Sequence, residues 1–270
     1  MWHLSSSHVA SAVMGGLVVA GGFLALGLNG RSTTQTILQE APMSAASSAG
    51  AGLTANEIYQ RDAPGVVFIR AKLARDAESP FDANGRLQGG YSTGSGFLAD
   101  RRGDILTDYH VIAGAKRLGG LTVELDGGAR RAARVIAIDP AADLAIVKVD
   151  LDGVPARPLA LGDSTTVSVG DQTLAISNPV GVDRTLSSGI VSALAHEIRA
   201  SDGLSVDNVI QTDRPLDPGG AGGPLLDAAG RVIGINSQVA SSAGAGLAVS
   251  FATPINTATP LLRRIQQGTG

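Results

Sequence analysis

Nine consecutive residues constrain this chain more than any other stretch: Asp217-Pro218-Gly219-Gly220-Ala221-Gly222-Gly223-Pro224-Leu225. Glycine at this density lets the backbone pass through φ > 0 and lets a ligand approach the main chain closely. Successive N–H groups in such a loop can converge on one point and hold a developing negative charge. An apolar pair, Leu225-Leu226, follows directly. Glycine is frequent elsewhere too, 36 residues in all, while aromatics make up only 3%. Small residues and many turns favour an all-β fold over a helical bundle.

The 270 residues are 44% hydrophobic and 17% charged. That suits one sizeable folded unit with an N-terminal appendage. A net charge of −3 gives no footprint for a nucleic-acid partner. There are no cysteines, which excludes disulfides, thiolate chemistry and Cys-ligated metals. No metal site and no cofactor are expected.

Residues 9–28, from Val9 to Leu28, form an uncharged apolar stretch of 20 residues. At about 1.5 Å per residue this matches a helix spanning a hydrocarbon core of roughly 30 Å. The alternative is a cleaved signal peptide, although its apolar region is usually only about 7–15 residues long. Residues 1–31 are thus expected to be a membrane anchor. Residues 32–53, rich in Ser, Ala, Thr and Gly, read as a flexible tether.

The folded part is expected over residues 54–270. Thr54-Ala55-Asn56-Glu57 is a capping box opening a short helix to about Asp62. β-Rich runs follow at residues 66–73, from Gly94, at 105–111, 121–125, 129–138, 144–149, 174–179, 185–194, 209–213, 230–236 and 247–251. Residues 75–90 and 197–206 read as polar loops. Residues 254–266 place Ile255, Ala258, Leu261, Leu262 and Ile265 on one face of an amphipathic closing helix. His110 stands at the end of an apolar strand pattern, and such a histidine is ordinarily a satisfied core residue. His3 and His8 precede the apolar span, and His196 has no flanking motif. Asp143 stands at the mouth of the buried run Leu144–Val149.

Several short segments, in order, resemble the HtrA (Deg) family of trypsin-like serine proteases. Gly94-Ser95-Gly96-Phe97 and Ile105-Leu106-Thr107-Asp108-Tyr109-His110-Val111 are similar to Gly-Ser-Gly-Phe and Ile-Leu-Thr-Asn-x-His-Val. Asp143-Leu144-Ala145-Ile146-Val147-Lys148-Val149 is similar to Asp-Leu-Ala-Val-Leu-Lys-Val. Leu161-Gly162-Asp163-Ser164, Ala175-Ile176-Ser177-Asn178-Pro179 and Ser188-Gly189-Ile190-Val191-Ser192 match further signatures. The glycine loop resembles Asn-Pro-Gly-Asn-Ser-Gly-Gly-Pro-Leu, but Gly220 and Ala221 replace its Asn-Ser.

The resemblance, over about residues 54–266, implies two six-stranded antiparallel β-barrels with a cleft between them. The N-barrel is expected at about 62–155, the C-barrel at 156–253 and the closing helix at 254–267. It implies His110 as general base, Asp143 as its orienting acid and Ala221 at the nucleophile position. The backbone N–H groups of Gly219, Gly220 and Ala221 would form the oxyanion hole. Leu216, Ile235, Asn236 and Ser237 would line the substrate pocket. With no Asp at the pocket base, a small or aliphatic P1 residue is expected. Ser164, Ser188 and Ser237 match structural or pocket-lining positions and do not replace the missing nucleophile. The chain is therefore expected to be inactive as written, either a knockout or a pseudoprotease that binds extended chains. The resemblance further implies polypeptide substrates, an extracytoplasmic catalytic domain behind a single membrane span, and a homo-trimer held through N-terminal contacts such as Ile58 and Tyr59. No PDZ domain is expected, since the chain ends at Gly270.

Overall fold

The computed structural model describes residues 52–72, 90–115, 120–155, 157–181, 183–199, 205–213, 219–237 and 250–267. The expected membrane span, the tether as far as Ala51, and Leu216 lie outside the described residues. Among those described, no helix is long and apolar enough to cross a membrane.

The first barrel is built from β1 (Val66–Lys72), β2 (Tyr91–Leu98), β3 (Asp104–Asp108), β4 (Leu121–Glu124), β5 (Arg130–Asp139) and β6 (Leu144–Val149). It closes in the order β1-β2-β3-β6-β5-β4. The second consists of β7 (Gln172–Ser177), β8 (Thr185–Arg199), β9 (Ser205–Thr212), β10 (Pro224–Leu226), β11 (Val232–Ser237) and β12 (Ser250–Pro254). It closes as β10-β11-β12-β9-β8-β7. Every pairing is antiparallel. Closure removes the exposed sheet edges that an open sheet would leave.

Strand alternation divides the apolar side chains between two kinds of core. On β6, Ala145, Val147 and Val149 fill the first barrel, while Leu144 and Ile146 turn outward into a second cluster. That second cluster also takes Leu174, Ile176, Leu226, Val232 and Ile235 from the other barrel. β6 thus buries apolar residues on both faces, which is why residues 144–149 read as an apolar run interrupted only by Lys148. Helix α1 (Ala55–Asp62) and helix α3 (Ile255–Gln266) seal this inter-barrel core with Ile58, Ile255, Ala258, Leu261 and Leu262. The capping box forms as expected: the Glu57 N–H donates to Thr54 Oγ1 at 3.2 Å and the Thr54 N–H to Glu57 Oε2 at 2.8 Å.

The structure corrects three expectations. Residues 105–111 are not one strand: β3 stops at Asp108 and a single-turn helix, α2 (Tyr109–Ile112), carries the histidine. Residues 197–206 are not wholly loop, because β8 and β9 keep pairing out to Arg199 and Ser205. The last strand continues beyond the expected end at Phe251, to Pro254, and pairs with both β11 and β9. Ile58 is fully buried in the core, and the Tyr59 hydroxyl donates to the Arg184 carbonyl of the same chain at 2.9 Å.

Candidate active site

The β3–β6 register sets Asp108 opposite Leu144. The next residues beyond that ladder, α2 on one side and Asp143 on the other, are therefore neighbours. Asp143 has φ 52° and ψ 41°, and it is the one non-glycine residue with positive φ among those described. Asp accepts this left-handed conformation better than most residues because its short polar side chain can bond locally. Here the Asp143 carbonyl accepts the Tyr109 N–H at 3.0 Å, and Oδ1 accepts the His110 N–H at 2.9 Å. The strained residue thus holds the start of α2 in place. Its second oxygen, Oδ2, lies 2.7 Å from His110 Nδ1. An ionised carboxylate there keeps the ring proton on Nδ1 and makes Nε2 the basic nitrogen. Oδ2 also accepts the Ser237 hydroxyl at 3.0 Å, a bond from the second barrel to the first.

The glycine loop is pinned by both barrels. The Ser95 hydroxyl on β2 donates to the Gly219 carbonyl at 2.9 Å and accepts the Asn178 N–H at 2.9 Å. The Ser95 N–H donates to the Ala221 carbonyl at 2.8 Å. From the other side, the Gly222 N–H donates to the Asn236 carbonyl at 2.7 Å, and the Asn236 side chain donates to the Pro224 carbonyl at 3.0 Å. The Gly220 carbonyl accepts the Gly223 N–H at 3.1 Å, which turns the Ala221 N–H on the same planar peptide the opposite way. Among the described residues, no backbone carbonyl takes the N–H of Gly219, Gly220 or Ala221. Ala221 is buried and packs in the same cluster as Val111 of α2, which joins the loop to the histidine-bearing turn.

Three of the four expected pocket residues are described. Ile235 is fully buried in the inter-barrel core, Asn236 holds the glycine loop, and the Ser237 hydroxyl is bonded to Asp143. Sequence reasoning gave no role to Ser95, a lone serine whose two-way bonding appears only when the barrels are juxtaposed.

It also gave none to Asp108, whose side chain is fully buried. Its Oδ2 lies 3.9 Å from His110 Nδ1, and neither oxygen has a hydrogen-bond partner of good geometry. The nearest donors, the Gly222 N–H and the Ser237 hydroxyl, are directed at Asn236 and Asp143. Burial first, and the Asp143 charge second, push the Asp108 carboxyl well above the usual carboxylate range, with Gly222 and Ser237 offsetting only part of this. An acid raised in this way keeps its proton in the folded protein after the unfolded chain has released it. Its stabilising contribution is complete below the ordinary value of 3.8 and is lost as pH rises above it. Asp108→Asn is expected to be more stable than the parent at pH 8 by about 1–3 kcal/mol, the cost typical of an unsatisfied buried polar group. The gap should close toward pH 4. Urea unfolding across this pH range, with EDTA present, checks it, and parallel stability curves would show that Asp108 is compensated.

Two closed six-stranded barrels, a His–Asp pair on the first and a glycine loop entering β10 of the second define the trypsin-like peptidase class. The trypsin-like peptidase domain family matches residues 94–235, and the chain belongs to it. Within that class it falls with the HtrA/Deg proteases. It is 39% identical over 201 residues to Protease Do-like 1, chloroplastic, of Arabidopsis thaliana, covering 74% of this chain and 44% of the relative. It is 37% identical over 214 residues to Protease Do-like 5, chloroplastic, of the same plant, covering 74% and 65%. A probable periplasmic serine endoprotease DegP-like of Pseudomonas fluorescens is 37% identical over 202 residues, covering 74% and 41%. The chain thus spans less than two thirds of the length of each of these relatives. Among solved structures, Deg5 superposes with a TM-score of 0.59 at 36% identity, covering 75% of this chain and 89% of that one. The HtrA-type protease AlgW with tripeptide superposes with a TM-score of 0.63 at 33% identity, covering 79% and 64%.

Proposed function

We propose that this protein is an HtrA-type endopeptidase scaffold that takes extended segments of exported or misfolded polypeptides into the cleft between its barrels. Its acyl-transfer chemistry is interrupted at position 221. The carrying observation is the pairing of His110 Nδ1 with Asp143 Oδ2 at 2.7 Å, on a turn packed against the glycine loop. In the complete reaction a serine hydroxyl at 221 attacks the scissile carbonyl and passes its proton to His110 Nε2. Asp143 holds the ring and balances the imidazolium, and the N–H groups of Gly219 and Ala221 bind the oxyanion. His110 then returns the proton to the leaving amine. Alanine leaves the backbone donors in place and removes the oxygen that forms the acyl-enzyme.

As written, the protein binds peptide without turning it over. We extend to it an extracytoplasmic location, as the word periplasmic in the relative's name suggests, with residues 9–28 as the anchor.

A fluorophosphonate probe on the full chain and on its Ala221→Ser form tests this reading. Labelling of the serine form alone is the expected result. Labelling of neither would move the protein to a purely binding role, as a chaperone or sensor. Labelling of the alanine form would overturn position 221 as the nucleophile site.

A further inference from the structure

We infer that Asp108, His110 and Asp143 together form a binding site for a divalent cation of the zinc type, centred behind the imidazole at Nδ1. One ligand atom from each residue lies within 4.8 Å of the others. His110 Nδ1 is 2.7 Å from Asp143 Oδ2 and 3.9 Å from Asp108 Oδ2. A tetrahedral zinc site with ligands about 2.0–2.2 Å from the metal has ligand atoms roughly 3.3–3.5 Å apart. The two separations from Nδ1 bracket that value, and the two carboxylate ligand atoms lie within 4.8 Å of each other.

The independent pointer is Asp108. Its carboxylate is fully buried, aimed at the ring nitrogen, and without a hydrogen-bond partner of good geometry. Ionised, a carboxylate left this way is strongly disfavoured unless something positive meets it. The Asp143 carboxylate beside it adds a second negative charge, and the neighbouring donors are directed elsewhere. A divalent cation balances both carboxylates at once. One imidazole nitrogen with two carboxylate oxygens is a donor set that zinc accepts, leaving a fourth position for water. Calcium needs six to eight oxygens, and magnesium needs octahedral geometry with retained waters, so neither suits this set. The ring side is the route in, because the His110 side chain is 23% exposed while Asp108 is sealed.

No spacing motif announces the site. Two ligands sit two residues apart across the β3–α2 junction, and the third is the residue just before β6. Binding requires Nδ1 to give up its proton, so an occupied site and a working His–Asp pair exclude each other. The inference does not depend on position 221.

The test is a Co²⁺ titration of the full, chelator-stripped chain, followed by visible absorption. The expected result is one equivalent bound with the intense bands of a low-coordinate site, displaced by Zn²⁺. Asp108→Asn should weaken binding at least tenfold, and His110→Ala should abolish these bands. Absence of saturable binding in the micromolar range would overturn the site, as would equal affinity in the Asp108→Asn protein. Should that variant fail to fold, nitrogen NMR of the imidazole in the parent chain decides the matter. Zn²⁺ must shift the His110 Nδ1 resonance, and an unmoved Nδ1 rejects the proposal.

Discussion

Ala221→Ser is expected to raise peptide-bond hydrolysis by about 10⁶-fold, the loss typical when a triad nucleophile is removed. Such a gain requires the rest of the machinery to be assembled already. The His110–Asp143 bond is short, Asp143 is braced by Ser237, and the loop carbonyls are held by Ser95 and Asn236. Ala221 also has its Cβ in place, so serine adds one oxygen and leaves the backbone unchanged. Gly220 is the counterweight. Beside Ala221 it gives the loop more freedom than a side chain would, and some of the gain is lost if the oxyanion donors wander. Adding His110→Ala to Ala221→Ser should return the rate to within about tenfold of the parent, since nucleophile and base act as a unit. Steady-state hydrolysis of an unfolded protein substrate, kept free of zinc by chelator, measures both. A serine form no faster than the parent would mean that the His–Asp pair and the loop are not aligned on a common substrate carbonyl.

How much of this was legible in the sequence varied with the range of the interactions involved. Residues 144–149 read correctly because a strand buried on both faces leaves an apolar run that only Lys148 interrupts. The capping box read correctly because both of its bonds lie within four residues. The position of His110 on a helical turn did not. Four residues carry no helical period, and the turn is dictated by Asp143, 33 positions away, which accepts its first two N–H groups. The β8–β9 extension was hidden because strand pairing satisfies backbone groups whatever the side chains, and a polar stretch looks like loop. Ser95 and Asp108 were visible as residues but not as roles, and Ser237 read as pocket lining, not as the brace on Asp143. Ser95 acts across 124 positions to reach Gly219, and Ser237 across 94 to reach Asp143. The orphaned state of Asp108 depends on where two other donors point.

Gly222→Ala is expected to destabilise the protein by roughly 2–6 kcal/mol and, in the Ala221→Ser background, to abolish the regained activity. Two costs combine. Gly222 has φ 85°, a conformation that strains any L-residue by about 1–3 kcal/mol. A Cβ there would also run into the Ser95 carbonyl and the Thr107 hydroxyl, which are bonded to each other, and would lie 3.1 Å from the Asp108 N–H nitrogen. These are backbone and buried atoms of the first barrel with little room to yield, and such overpacking costs about 1–3 kcal/mol more. Gly153→Ala and Gly170→Ala separate the two contributions. Their φ values of 72° and 96° bracket that of Gly222, and nothing lies within 4 Å of a Cβ at either position. They should show the strain cost alone. Urea unfolding of the three variants makes the comparison. If Gly222→Ala is no worse than the other two, the loop yields to the methyl group. The close seat of the glycine loop against β2 and β3, which places position 221 beside the histidine turn, would then be softer than the bonds of Ser95 and Asn236 imply.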